Sequence, residues 1–385
     1  TEMADILLST ATVKQIDDFT DRYIEMKPRK FPTATLLQMS QGKKPISEKV
    51  QWGEQESFPL STKVNNVAGY ADSETTAILV DDNTGWQDGM DIMVHRTKEI
   101  ITIGHCDSTT GIHALTRGAR GTAAAAIVDN DVLIPMSVPR AENYAYSSVV
   151  PRMTQASDIY NYVELWAEAC SITNSEQVFQ ANGGKAYQQD YEDQILRAIE
   201  NLKASVNRAA LWGVRSKTSL TRTAGGILQF AGYKDFTPKD ITDRSVFEQY
   251  FGEALKYGED DVLVPCSWTA LQAINRLFQG ASPSNAGGDI VKVAGVEIQK
   301  IKHFLGGWFY PYYEPGLPDD ETGGNKLGVC MTWVKGKFKQ NTARPIGRYE
   351  VPPTTDGQTK QVQLEASFTC AGAKHFTVLG GIIAP

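Results

Sequence analysis

The stretch Gln188–Trp212, QQDYEDQILRAIENLKASVNRAALW, constrains the chain more than any other. Tyr191, Ile195, Ile199, Leu202, Val206 and Ala210 follow one another at steps of three and four, a spacing that puts them in one stripe along a helix. The opposite face is charged. Asp193 with Arg197 and Glu200 with Lys203 stand at ion-pair spacing, each pair contributing only about 0.2–0.5 kcal/mol. Gly213 supplies a stop. At 1.5 Å per residue the rod is about 37 Å long, and one apolar stripe of that length needs a sheet laid against it.

Other segments have no core of their own. From Thr1 to about Arg29 apolar residues are sparse, which predicts an arm. Phe31–Asn66 alternates only around Val50–Trp52 and is otherwise polar filler; stretches of this kind are usually functional loops or extended arms. A hairpin of Glu48–Trp52 with Phe58–Val64 would carry too few apolar side chains to stand free. Composition then shifts. Between Ala71 and Met136 the β-prone runs TTAILV, DIMVHR, EIITIGHC, IHALTRG and DVLIPM are separated by Asp, Asn and Gly turns, the pattern of a small inserted barrel or sandwich. Within it Gly118 and Gly121 mark a bulge or sharp turn, and the alanines 123–126 are expected to pack closely.

After Pro151, Tyr162–Ile172 alternates as a strand, although a short helix fits the same residues, and Thr173–Glu176 has the capping-box form ahead of a helix broken at Gly183-Gly184. Beyond the rod, Ser245–Tyr257 predicts a second amphipathic helix and Asp261–Pro265 a buried strand. Ser267 is placed to cap a helix carrying Leu271, Ile274 and Leu277. Ile290–Val293 and Val296–Ile301 flank Gly295 as strands, and an aromatic run follows from Trp308 to Tyr313. Leu327–Phe338, Arg348–Val351, Gln361–Thr369 and Lys374–Ile382 read as closing strands, the last two in hairpin order through Ala371-Gly372.

The chemistry of the chain is sparse. A net charge of -7 argues against a protein that holds nucleic acid by neutralising phosphates. Five cysteines, Cys106, Cys170, Cys266, Cys330 and Cys370, lie far apart without a CxxC, which predicts buried thiols in a reducing compartment. No apolar run approaches 18 residues and no signal peptide opens the sequence. Gly183-Gly184-Lys185 lacks the glycine and hydroxyl of a phosphate loop. His95, His105 and His113 with Cys106 have no spacing that requires a metal. The Asp81–Asp91 region resembles a calcium loop in composition only, since Ile92 stands where the bidentate Glu belongs. No catalytic, cofactor or metal residues are assigned, and no cofactor is expected.

The order of parts, and several quoted stretches, carry a resemblance. ALTRGARGTAAAAIVDNDVL, FPTATLLQ followed by VQWGEQESFP, ITNSEQVFQ before the rod, Gly295–Ile298 and the closing VQLEASFTCAGAKHFTVLGGI resemble the major capsid proteins of tailed bacteriophages, in the branch with a small β-rich insertion. The resemblance implies an α+β Hong Kong 97-like fold. Residues 1–30 would be an N-terminal arm, 31–70 and 137–155 an extended loop, and 71–136 the inserted β domain. Residues 156–240 and 326–385 would form a peripheral domain around spine helix 188–212, and 241–325 an axial domain. It implies no catalysis, and a virion protein assembled in the host cytoplasm. Identical subunits in hexamers and pentamers would enclose double-stranded DNA without reading its sequence, alongside separate scaffolding, portal and decoration proteins and no membrane. Since no long scaffolding segment precedes Thr1, a separate scaffold or prior cleavage is expected. Inter-subunit contacts are expected at Trp52, Glu54, Phe58, Arg117, Arg120, Trp308 and Tyr310.

Two readings from other classes compete. A carbohydrate-binding or adhesive β protein would use the aromatic run on sugars, and a nucleotide-dependent enzyme would need a divergent phosphate site. An extended loop that cannot bury itself favours the shell, because it gains stability only when laid over a companion.

Overall fold

The computed structural model describes residues 31–107, 111–140, 142–144, 156–173, 187–240, 244–256, 261–279, 291–293, 296–298, 301–302, 306–322, 325–334, 336–352 and 357–383. They fall into two compact units, one built from the chain up to Trp52 and from Ile159 onward, the other from Gly53–Asp158. The expected N-terminal arm and the capping box with its glycine pair lie outside the described residues.

Along the chain, a short helix Pro32–Met39 precedes β1 (Lys49–Glu54). Then come β2 (Thr62–Lys63), β3 (Ala77–Leu79), β4 (Asp91–Val94), β5 (Ile100–Thr102), β6 (His105–Cys106), β7 (Gly111–His113) and β8 (Val132–Pro135). Antiparallel pairing arranges these seven in two small sheets, β2-β8-β4-β5 and β3-β7-β6. Ile78, Met90, Ile92, Ile101, Ile112 and Leu133 from both sheets fill one core. The alternation that announced the strands thus closes a two-layer unit. The alanine run does not pack closely: Ala123, Ala124 and Ala126 are exposed and Ala125 is half-buried. Their contribution comes from their carbonyls, with Ala125 accepting from Arg117 and Ala126 from Arg96.

β1 pairs with β9 (Ser157–Tyr162), not with 58–64; Thr62 and Lys63 instead pair with β8. Local sequence could not show this, because the true partner lies a hundred residues on. β10 (Glu164–Thr173) is a strand, as its alternation predicted. The long helix Tyr187–Trp212 follows, and of its expected stripe Tyr191, Ile195, Leu202, Val206 and Ala210 are at most 4% exposed, while Ile199 is half-buried and the neighbouring Ala198 is buried at 6%. Its cover is a three-stranded sheet, β10-β24-β23, of β23 (Phe338–Val351) and β24 (Gly357–Cys370). Trp166, Leu364, Ala366 and Phe368 from that sheet share one core with the helix.

The remaining elements are β11 (Ser216–Thr218), β12 (Thr221–Thr223), β13 (Tyr233–Asp235), β14 (Lys239–Asp240), β15 (Asp261–Cys266), β16 (Val291–Val293) and β17 (Val296–Ile298), then β18 (Ile301–Lys302), β19 (Trp308–Tyr313), β20 (Asp320–Thr322), β21 (Asn325–Met331), β22 (Trp333–Val334) and β25 (Thr377–Ile383). Helices Arg244–Leu255 and Trp268–Gln279 flank a sheet of nine described strands with spine order β13-β25-β21-β15-β19-β18. The expected hairpin through Ala371-Gly372 is not formed. β24 pairs with β23, whereas β25 pairs with β21 and with β13, so the turn at 371–376 passes the chain from one sheet to the other. Its pivot is Gly372, at φ 80, where a Cβ would stand 2.4 Å from the His375 ring.

Candidate functional site

β1 has no buried residue: Lys49, Gln51 and Gly53 are exposed and Val50, Trp52 and Glu54 half-buried. A ribbon of β1 and β9 alone has no core, so its root must be held from the side. Two cations do this. The Lys49 ammonium lies 4.0 Å and the Arg215 guanidinium 4.1 Å from the Tyr160 ring centre, and Arg215 Nη1 donates to the Tyr160 carbonyl at 2.6 Å. Phe230 sits 5.8 Å from the same guanidinium, with Trp52 5.5 Å beyond it. Each exposed cation–ring contact is worth about 0.5–1 kcal/mol.

Just before the ribbon, Glu48 accepts from Lys217 and, at 3.0 Å, from Arg222. Lys217 is the main reason its carboxyl lies below the usual range. Arg222 also reaches Glu365 at 3.4 Å, which meets Arg344 at 3.6 Å. Such exposed pairs add little stability singly but fix direction as a network. The β11–β12 hairpin that supplies Lys217 and Arg222 presents Leu220, 94% exposed, at its turn. Ile46 is fully exposed nearby in sequence. Neither residue carries a sequence signal, because exposure is set by the tertiary fold.

The aromatic run is strand β19, paired in parallel with β15. Phe309, Pro311 and Tyr312 are buried while Trp308, Tyr310 and Tyr313 are half-buried. The Tyr310 hydroxyl donates to Asp261 at 3.0 Å; burial and that carboxylate push it up to about 12. The Lys302 ammonium is 5.8 Å from the Trp308 ring centre. Trp268, edge-on to Tyr313 at 6.0 Å, is 59% exposed and is the most available aromatic here, yet its helical setting hid it from the sequence reading.

Within the β-rich unit, Phe58 lies against Gly85, where a Cβ would stand 2.0 Å from its ring. The Glu54 carbonyl accepts from the Ser157 hydroxyl at 3.2 Å. Arg120, itself at φ 58, donates to Asp91 at 2.8 Å with half its side chain exposed. Arg117 is different. Its side chain is 4% exposed and its partner Glu99 0%. Arg117 donates to Glu99 at 2.7 and 2.8 Å and to the carbonyls of Ala71, Glu74 and Ala125. The amides of Gly118 and Ala125 complete the Glu99 cradle at 3.1 Å each. Burial opposes the Glu99 charge, but Arg117 and these amides hold its carboxyl below the ordinary range. Arg117 therefore locks its own subunit, with its side chain buried while the residue as a whole is half-buried. The Ala-rich run supplies the lock's carbonyls: Ala125 accepts from Arg117, and Ala126 from Arg96 at 2.8 Å.

One buried acid was missed. Glu314, 0% exposed, takes the Thr33 amide at 3.0 Å, the Thr33 hydroxyl, Asn207 Nδ2 at 2.9 Å and the Gly316 amide at 3.1 Å. It thereby caps the helix Pro32–Met39, whose N-cap residue Phe31 supplies no side-chain bond. Burial pushes its carboxyl above the usual range despite these donors. His105 and His113 are cross-strand partners with ring centres 6.4 Å apart, while His95 is exposed on the turn after β4. Among the described residues no group of three or more His, Cys, Asp or Glu has the geometry to hold a metal ion.

A long helix sheeted on one side, a cored β-rich unit, and a two-stranded ribbon whose apolar side chains are only half-buried are the parts of a shell-building subunit of the Hong Kong 97 type. Residues 7–382 match the SU10 major capsid protein family, and the chain belongs to it. The capsid of a native GTA particle is similar to this chain, with a TM-score of 0.50 at 9% identity over 95% of both chains. Gordonia phage Cozz scores 0.48 at 9% identity, over 98% of this chain and 94% of that one. The capsid of Myoviridae phage XM1 scores 0.47 at 9%, over 96% and 97%. Comparison with curated proteins returns no match. The chain is a major capsid protein, a structural component of a virion.

Proposed function

We propose that the chain assembles with identical copies into the hexamers and pentamers of an icosahedral head around double-stranded DNA, with no turnover of a substrate. The observation that carries this is the β1–β9 ribbon, which has one buried residue, Asn161, among twelve. Such a ribbon gains its missing cover from a neighbouring copy, and heterologous contacts of that kind close into rings. Trp52, Glu54, Phe58, Arg120, Trp308 and Tyr310 are the proposed contacts, joined by Leu220 and Trp268. Arg117 acts indirectly, by keeping the β-rich unit folded. Residues 31–70 with 137–155 serve as the extended loop, 71–136 as the insertion, 156–240 with 326–385 as the peripheral region and 241–325 as the axial one.

DNA is enclosed without sequence reading, consistent with the net charge of -7. Assembly takes place in the host cytoplasm with separate scaffolding, portal and decoration proteins. Among the described residues no helix is long and apolar enough to cross a membrane. The test is electron microscopy of the purified chain with a protease site placed between Gln55 and Pro59. Uncut protein forms shells or rings; cut protein keeps its circular dichroism and melting profile but forms none. Shells from cut protein, or uncut protein that stays solitary at high concentration, overturn the proposal.

A further inference from the structure

Two thiols that the coat role does not use face each other inside the large sheet. Cys266 ends β15, Cys330 lies in β21, and the two are direct antiparallel partners. Both are 0% exposed, in an apolar core with Phe247, Phe251, Ile274 and Leu379. The adjacent pair decides their geometry. Ser267 N–H donates to the Val329 carbonyl at 2.8 Å, which makes Ser267 and Val329 a hydrogen-bonded position of the ladder. Antiparallel ladders alternate, so Cys266 and Cys330 form a non-hydrogen-bonded pair, with α-carbons about 4.5 Å apart and side chains drawn together. A disulfide spans α-carbons about 4.4–6.8 Å apart.

Other contacts hold the pair in register. The Tyr250 hydroxyl donates to the Cys330 carbonyl at 3.0 Å. Ser267 Oγ accepts from the amides of Val329 at 3.0 Å and Ala270 at 3.4 Å. The Cys266 thiol donates to the Val264 carbonyl at 3.3 Å. Across their ladders the other buried cysteines face different residues, Cys170 opposite Lys360 and Cys370 opposite Phe338.

We propose that Cys266 and Cys330 are a modification site at which a small neutral peroxide forms a reversible disulfide, stapling β15 to β21. One thiolate attacks a peroxide oxygen, the O–O bond breaks, hydroxide leaves and a sulfenic acid forms. The facing thiol then attacks that sulfur; the S–S bond forms, the S–O bond breaks and water leaves. In sum two thiols and one peroxide give one disulfide and two waters. The first step is slow, because the thiols are sealed from solvent and burial pushes the Cys266 thiol well up. The second is fast, because its partner is already in place.

The test uses the full chain, assembled or not, so it stands apart from the capsid proposal. Protein is treated with hydrogen peroxide, unfolded in N-ethylmaleimide, digested without reductant and mapped by mass spectrometry. The expected product is a peptide joining Cys266 to Cys330, lighter by two hydrogens and separated by dithiothreitol, with Cys170 and Cys370 alkylated. Oxidation raises the Tm by about 3–5 °C, and this shift vanishes in Cys330→Ser. Should that variant fail to fold, the wild-type mapping decides alone. Recovery of both Cys266 and Cys330 as alkylated thiols after peroxide, or a bond from either to another cysteine, overturns the inference.

Discussion

Glu314 is a carboxylate surrounded only by donors, from Thr33, Asn207 and Gly316. An amide in its place would aim an N–H at one of those donors, which costs about 1–3 kcal/mol. Glu314→Gln is therefore expected to lower stability by that amount in urea titrations and to raise hydrogen exchange in Pro32–Met39. Asp235 has the opposite environment. Hydrogen bonds from Lys239 and the Thr237 amide hold its carboxyl at about 2, below its ordinary 3.8. An acid depressed on folding contributes stability above its unfolded value, and that contribution is lost as pH falls through the folded one. Asp235→Asn should thus melt about 1–2 °C below wild type near neutral pH, with the gap closing between about pH 4 and pH 2. Sequence could not have singled out either acid, because Glu314 and Thr33 meet across 281 positions and their pairing is a product of the fold. Arg117 was legible as important through its glycine-flanked segment, but its role was not: a charged residue reads as surface until a buried Glu99 is found beneath it.

At the scale of elements, the long helix was the most legible part, because a 3.6-residue period needs no partner to be recognised. Leu202 sits at 0% exposure in its stripe. Leu202→Ala is expected to cost about 2–5 kcal/mol in chemical denaturation, whereas Leu196→Ala, 52% exposed on the same helix, should cost under about 0.5 kcal/mol in the unassembled chain. Strand positions were also readable, since alternation and turn residues are local. Pairing was not. β1 found β9 rather than the segment at 58–64, and β24 parted from β25 despite a short connection that looked like a hairpin. Register is chosen by which buried faces match across the whole chain, and that information lies outside any single window.

The described residues form separate cores, one among residues 64–133 and others made by residues beyond Asp158 together with Leu36 and Leu37. Such a chain is not expected to unfold in one step. Calorimetry of the unassembled protein should resolve at least two transitions. Arg117→Ala would leave Glu99 buried and unpaired, at a cost of about 3–5 kcal/mol. It should move only the transition of the β-rich unit, and a shift shared equally by all transitions would contradict this separation.

Strand β25 stands between β13 and β21, parallel to the first and antiparallel to the second. A nascent polypeptide therefore lacks the strand between β13 and β21 until Thr377–Ile383 leaves the ribosome. A product truncated before Thr377 lacks that seam and is expected to be lost from assembled particles.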